Sequence, residues 1–93
     1  MKATIYGTLI CPDCVELKEW LGAHPEKTGW TWVDITESTQ NLKDFLAVRD
    51  QSHVFDDVRA AGNIGIPCFV MENGEVVLDA EQACTMLDTA QGE

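Results

Sequence analysis

Two cysteines separated by two residues are the part of this sequence whose types and spacing could do chemistry. Cys11 and Cys14 follow a short apolar segment, and a helical pattern begins directly at Pro12. Two intervening residues in a helical turn bring two sulfurs close enough to bond without a large movement of the backbone. One thiolate can then attack a disulfide to form a mixed disulfide, which the second thiol resolves. The spacing therefore predicts dithiol redox chemistry.

The position of the pair predicts different roles for its two sulfurs. A strand-to-helix junction offers free backbone N–H groups and the positive end of the helix dipole, and both favour a thiolate. Pro12 suits the first turn, because its φ is already helical and its missing N–H would have had no partner there. We expect Cys11 to be the outer, attacking residue and Cys14 to lie about one turn inside as the resolving residue. These two are the predicted catalytic residues.

Asp13, between the two cysteines, has two opposed consequences. A carboxylate beside the pair opposes the formation of a thiolate. In the first turn of a helix the same carboxylate complements the helix dipole. If the first effect dominates, the dithiol favours the role of a reductant over that of an oxidant.

The other two cysteines leave a second function open. Cys68 begins a predicted buried strand and Cys84 falls near the edge of the last apolar helix stripe, so both suit the packing of a small apolar side chain. Together with Cys11 and Cys14, Cys68 could instead supply a third thiolate for a metal ion or an iron–sulfur cluster. A zinc ribbon would need a second Cys-x-x-Cys or a His pair at ligand spacing, and the sequence has neither. The redox interpretation predicts no metal site and no bound cofactor; the alternative is a metal or cluster carrier.

Composition limits the partners and the compartment. The chain has 93 residues, 45% of them hydrophobic, which suits one globular domain over residues 1–93. A net charge of −10 with six scattered basic residues opposes binding to nucleic acid or to anionic membranes. No apolar signal region follows the first residues, and the apolar runs are too short for a bilayer. We expect a cytoplasmic monomer, in which thiols stay reduced and a close cysteine pair is more often catalytic or metal-binding than structural.

Hydrophobic periodicity predicts alternating strands and helices. Strands are expected at 3–7, 30–35, 68–71 and 76–78. Helices are expected at 12–22, from possible caps at 36–39 to Gly62 with a break around 50–53, and from 80 to about 90, with Ala83, Met86, Leu87 and Ala90 facing inward. Residues 24–29 are expected to be a surface loop, and Asn73-Gly74 a two-residue hairpin turn. Ser52 and Asp79 suit N-caps. The order β-α-β-α(α)-β-β-α predicts an α/β fold with a four-stranded mixed sheet flanked by helices.

The cysteine motif also belongs to a larger pattern. The Cys-Pro-Asp-Cys segment after the first strand, Ile66-Pro67 before the third and the Asn-Gly hairpin resemble the glutaredoxin branch of the thioredoxin superfamily. Small bacterial glutaredoxin-related proteins carry a similar start and a Gly-Ile-Pro-Cys-Phe segment. The resemblance covers nearly the whole chain, and it implies a thioredoxin fold and thiol–disulfide oxidoreductase activity on protein or small-molecule disulfides.

The resemblance also implies a substrate groove. Pro67 would be a cis-proline packed against the dithiol, and Ile66 would offer its backbone to an extended substrate, so that Pro12, Asp13, Ile66 and Pro67 are the expected substrate-binding residues. Two departures concern the electron donor. Thr8-Leu9-Ile10 stands where many glutathione-binding relatives carry a Lys, and 77–81 lacks their Gly-Gly pair. Glutathione is an anion and would lose partners there, so glutathione and a flavin-dependent reductase both remain possible donors.

Overall fold

The computed structural model describes residues 1–89, which form a mixed α/β domain. The strands are Ala3–Gly7 (β1), Lys27–Thr28 (β2), Trp30–Asp34 (β3), Cys68–Met71 (β4), Val76–Val77 (β5) and Asp88–Thr89 (β6). The helices are Pro12–Ala23 (α1), Thr39–Gln51 (α2), Asp56–Ala60 (α3) and Ala80–Met86 (α4), with a 3₁₀ turn at His53–Phe55 before α3.

Four of the strands form one mixed sheet in the order β3-β1-β4-β5. Strand β1 runs parallel to β3 and antiparallel to β4, and β5 is antiparallel to β4. Ile5 marks the register, because it lies opposite Trp32 on one side and Phe69 on the other. The parallel pair needs a crossover connection, which α1 supplies. The predicted four-stranded mixed sheet is therefore confirmed.

Alternation along the strands divides the core between the two faces of this sheet. Ala3 and Ile5 on β1 face α1 and α4, where they pack in a cluster completed by Leu17, Leu21, Phe69, Met71, Val77, Ala83, Cys84 and Leu87. Tyr6 points to the opposite face, toward α2 and α3, against a second cluster of Ile35, Phe45, Phe55 and Cys68. The sheet is thus covered on both sides, and β1 lies in its interior between β3 and β4.

Polar side chains begin the helices where the sequence predicts caps. Ser38 accepts a hydrogen bond from the Asn41 backbone N–H at the start of α2. Ser52 ends that helix and accepts from the Val54 N–H, so the chain restarts as a 3₁₀ turn and then as α3. This confirms the predicted break at Ser52.

Two local predictions in this part of the fold differ from the structure. The loop expected at 24–29 contains β2, because Lys27 and Thr28 pair antiparallel with Thr89 and Asp88 of β6. The last helix consequently ends at Met86, and Leu87 is buried beyond its end. Ala90, expected on the same helix face, lies outside the described residues.

The Asn73-Gly74 hairpin has three loop residues instead of two. The Met71 N–H donates to the Glu75 carbonyl at 2.8 Å, so Met71 and Glu75 close the loop. Only Gly74 has a positive φ, of 88°, whereas a two-residue type I′ turn needs positive φ at both central positions. A three-residue loop places the one left-handed residue at Gly74, which has no Cβ.

No helix among residues 1–89 is both long enough and apolar enough to cross a membrane.

Candidate active site

The dithiol lies where the first strand of the sheet passes into the first helix. Cys11 is the N-cap residue of α1, with φ −102° and ψ 121°, and Pro12 follows in the first helical turn. The Cys11 N–H donates to the Thr8 carbonyl at 3.3 Å, and its carbonyl accepts from the Val15 N–H at 3.0 Å. The Cys11 side chain is partly exposed. The structure therefore confirms that Cys11 is the outer residue of the pair.

Cys14 differs from Cys11 because it is fully buried one turn further along the helix. Burial, the largest cause, raises the pKa of Cys14 to about 12. A hydrogen bond with the Thr8 backbone acts in the opposite direction, whereas interactions with Cys11 and Asp13 raise the pKa further. At neutral pH Cys14 is thus a protonated thiol without access to solvent, and only Cys11 of this pair can meet an external disulfide.

A close contact with the sheet fixes the position of Cys14. A Cβ added to Gly7 would lie 3.1 Å from Sγ of Cys14 and 2.9 Å from Cζ2 of Trp32. The sulfur and the indole therefore fill the space that a side chain on the last residue of β1 would occupy. Nζ of Lys18 lies 5.1 Å from the centroid of the Trp32 ring, within the range of a cation–π contact. Lys18 therefore lies over this indole.

Hydrogen bonds hold the loop between β1 and α1. The Thr8 side chain is 4% exposed, and its hydroxyl lies 3.0 Å from that of Thr36. Oδ1 of Asp34 accepts from the Thr36 hydroxyl at 2.6 Å and from the Thr36 N–H at 2.8 Å. These two bonds lower the pKa of Asp34 below its usual value. The loop that carries Cys11 is thereby tied to the end of β3.

An open groove of about 690 Å³ lies beside the dithiol at Asp13, although neither Cys11 nor Cys14 lines it. Asp13, Ile66 and Pro67 all line it, so the structure brings together three of the four expected substrate-binding residues. Pro12, the fourth, is exposed in the first turn of α1 and does not line the groove. The Ile66–Pro67 peptide bond is cis, as the resemblance implies. Ile66 lies in the loop before β4 and is separated from that strand by Pro67. Among residues 1–89, the backbone of Ile66 makes no hydrogen bond to another backbone group.

Sequence reasoning missed most of the groove's other residues. Glu16 and Trp20 lie on the same side of α1 as Asp13, and Glu81 faces them from α4. The spacing of 13, 16, 17 and 20 is that of one helix face, so the two α1 residues could have been found once Asp13 was singled out. Nothing in the sequence places Glu81 opposite them, because that depends on how α4 packs on the sheet.

Of the remaining cysteines, Cys68 lies apart from the dithiol, whereas Cys84 lines the groove beside it. Cys68 is paired in register with Tyr6 and is fully buried in the cluster under α2 and α3, whereas Cys14 lies on the α1 face against Gly7. Burial raises the pKa of Cys68 to about 12. Cys84 is buried in the core cluster on the α1 face. Within residues 1–89, no three His, Cys, Asp or Glu side chains form a group that could hold a metal ion.

The fold and the site define a mixed α/β protein with a Cys-x-x-Cys pair, one thiol partly exposed and one buried, at the start of the helix that follows its first strand. The chain is 49% identical over 80 residues to an uncharacterized protein of Haemophilus influenzae, and the match covers 84% of this chain and 88% of that protein. The chain belongs to the same protein family as this Haemophilus protein. No family model matches the chain, and no solved structure matches it. The function is therefore inferred from the site itself.

Proposed function

We propose that this protein is a glutaredoxin-like thiol–disulfide oxidoreductase with a thioredoxin fold, in which Cys11 attacks and Cys14 resolves. The observation that carries the proposal is the difference between the two sulfurs. Cys11 is partly exposed at the N-cap of α1, and Cys14 is buried one turn behind it with a pKa raised to about 12. The roles of attacking and resolving thiol require such a difference, because only the first sulfur has to meet an external substrate.

The reaction proceeds in two exchanges. The Cys11 thiolate attacks one sulfur of the substrate disulfide, the substrate S–S bond breaks, and the first substrate thiolate leaves and takes up a proton. Sγ of Cys14 then attacks Sγ of Cys11, the mixed disulfide breaks, and the Cys14 proton passes to the second substrate thiolate as it leaves. The substrate gains two electrons and two protons, and the protein is left with a Cys11–Cys14 disulfide. An external thiol such as glutathione, or a flavin-dependent reductase, returns the two electrons.

The arrangement of the sheet supports the thioredoxin fold. The strand order β3-β1-β4-β5, with one parallel and two antiparallel pairings, puts β1 in the interior and carries the dithiol at its end. Helices cover both faces, and Pro67 directly precedes β4, which is hydrogen-bonded to β1.

The groove beside the dithiol supports a substrate-binding role for Asp13, Ile66 and Pro67. All three line it, and the backbone of Ile66 can pair with an extended substrate, because no other backbone hydrogen bond uses it within the described chain. Pro12 acts differently, since it fixes the first turn of α1 and with it the place of Cys11. We further propose that the protein works as a monomer in the cytoplasm, and that it binds neither nucleic acid nor membranes.

Anaerobic turnover of a small mixed disulfide tests the proposal. Glutathione with its reductase is compared with thioredoxin reductase as the source of electrons. We expect turnover with at least one of them, its complete loss in Cys11→Ser, and accumulation of a mixed disulfide at Cys11 in Cys14→Ser. Cys68→Ala is the matched control and should retain the activity, because Cys68 lies in the core cluster on the opposite face of the sheet.

Absence of turnover with both donors, from a protein whose Cys11 is free and titratable, would overturn the proposal. In that case the metal content of freshly purified protein decides whether a metal or cluster carrier replaces it. The separation of Cys68 from the dithiol, on the opposite face of the sheet, disfavours a site built from these three thiols within one chain.

A further inference from the structure

The groove beside the dithiol carries negative charge on two opposed walls. Asp13 and Glu16 project from α1 on one side, and Glu81 projects from α4 on the other. All three carboxylates are exposed, and none lies within 4 Å of a cationic group in residues 1–89. Ile66 and Pro67 lie in the same lining, so a substrate segment that contacts them shares the groove with these charges.

The positive charge in the groove is weaker. Lys27 is the single cationic residue among the described lining, and its Nζ donates a hydrogen bond to Oγ1 of Thr89 at 3.2 Å. The first turn of α1 would otherwise attract an anion, but Asp13 occupies that turn and offsets the positive end of the helix dipole. An anionic ligand therefore meets net repulsion here.

An aromatic side chain completes the surface. Trp20 is 37% exposed and lines the groove, with its ring stacked on that of His24 at 3.9 Å between centroids. Exposed indole next to free carboxylates suits the long aliphatic stem and the charged head of Lys or Arg. Both the charge and the aromatic surface are thus complementary to a basic segment.

We propose that the groove selects disulfides that are flanked by basic residues in an extended polypeptide, over anionic disulfides such as that of glutathione. This inference rests on the proposed function, because it assigns the substrate class of the same site. Glutathione carries two carboxylates and one amine at neutral pH, so its disulfide is repelled by the same three side chains that attract Lys or Arg. The electrostatic interaction between groove and substrate changes mainly the association rate constant, and it weakens as salt screens the charges.

The experiment compares three synthetic peptide disulfides of equal length, in which the residues beside the cystine are Lys, Gln or Glu. Reduced protein is mixed with an excess of each peptide, and the second-order rate constant of exchange is measured at low and at physiological salt. At low salt we expect the Lys peptide to react about tenfold faster than the Glu peptide, with the Gln peptide between them. The ratio should fall toward one as salt is added.

Variants with equal net charge separate the groove from the overall charge of the protein. The groove variant D13N/E16Q/E81Q should bring the ratio of Lys to Glu rate constants close to one. The control variant E19Q/E72Q/E75Q removes three exposed carboxylates outside the groove and should keep the ratio of the unmodified protein. Because each result is a ratio within one variant, a general effect of Asp13 on the reactivity of Cys11 cancels.

The possible outcomes distinguish the two proposals. Equal rate constants for the three peptides, or a ratio that falls in both variants alike, would overturn the basic-substrate inference and leave the oxidoreductase in place. No exchange with any of the peptides would overturn the proposed function, and the inference with it.

Discussion

Sγ of Cys14 lies against the backbone of Gly7, so close that a Cβ on Gly7 would be 3.1 Å from the sulfur. The Cys14 thiol is therefore packed directly on the last residue of the interior strand β1. The indole of Trp32, from the neighbouring strand β3, closes the same space from the side, at 2.9 Å from that Cβ position. The position of the buried sulfur is determined by the sheet as well as by its own helix.

Gly7→Ala should destabilise the protein, because the new methyl group meets Trp32 and Cys14 at distances that force one of them to move. We expect a loss of about 1–3 kcal/mol in the free energy of unfolding, the usual cost of overpacking. Gly22→Ala is the control, since a Cβ there has no atom within 4 Å and lies inside α1; it should stabilise by about 0.5–1 kcal/mol. Urea unfolding of the reduced proteins measures both. A neutral Gly7→Ala would show that the site tolerates a side chain.

The four thiols should differ sharply in their reactivity toward a maleimide, which alkylates an accessible thiol and leaves no mixed disulfide for Cys14 to resolve. In the reduced, folded protein we expect one rapid equivalent from Cys11 and three slow equivalents, because Cys14, Cys68 and Cys84 are buried. All four should react at once in denaturant. Cys11→Ser should lose the rapid phase, whereas Cys84→Ser should keep it and lose one slow equivalent. Two rapid equivalents in the native protein would contradict the burial of Cys14.

Stability should fall in alkaline solution, because burial raises the pKa of both Cys14 and Cys68 from the usual value of 9.0 to about 12. Between these values the unfolded chain releases protons that the folded protein retains. The contribution of these thiols is thus fully present below pH 9 and is lost as the pH rises toward 12. Each buried thiol adds a slope of about 1.4 kcal/mol per pH unit in that window.

Cys68→Ala should lower the slope of the free energy of unfolding against pH by the contribution of one thiol. Val70→Ala is the matched control, because Val70 lies on the same strand and packs against the same cluster but does not titrate. It should lower the free energy of unfolding at every pH without changing the slope. Denaturant unfolding of the fully reduced proteins from pH 8 to 11 measures the slope. An unchanged slope in Cys68→Ala would contradict the raised pKa of Cys68.

The start of α4 depends on one carboxylate. Oδ1 of Asp79 accepts hydrogen bonds from the Glu81 N–H at 3.0 Å and from the Gln82 N–H at 3.2 Å. Asp79→Ala leaves both donors without this partner and should cost about 1 kcal/mol, whereas Asp79→Ser keeps a capping oxygen and should cost much less. Thermal or urea unfolding compares the two. Equal losses in Ala and Ser would mean that the charge, and not the cap, is what matters there.

Local patterns were enough for most of the elements. The apolar strand at Ala3–Gly7, the proline at the start of α1 and the serine at position 52 each act over a few residues, and the structure has a strand, a helix start and a helix break at these places. The helix-turn spacing of Cys11 and Cys14 likewise fixed their order of depth. Such features depend on steric contacts and hydrogen bonds between residues that are close in the sequence, so the sequence predicts them.

Long-range packing decided the features that the sequence did not predict. Lys27 and Thr28 become a strand only because Asp88 and Thr89 arrive beside them, held by the N-terminal amine of Met1, which lies 2.9 Å from the Asp88 carboxylate. The side on which Cys68 faces depended on its register with Tyr6 across the sheet, since neighbouring positions on a strand point to opposite faces.

The sequence by itself determined the dithiol, its place between strand and helix and the mixed α/β class, because these follow from spacing and periodicity along one short stretch. Only the tertiary structure decided that Cys14 packs against Gly7 beside Trp32, that Cys68 lies on the other side of the sheet, and that Glu81 and Asp13 line one groove. Those relationships join residues far apart in the chain, and the burial that raises the pKa of a thiol exists only after such residues have packed together.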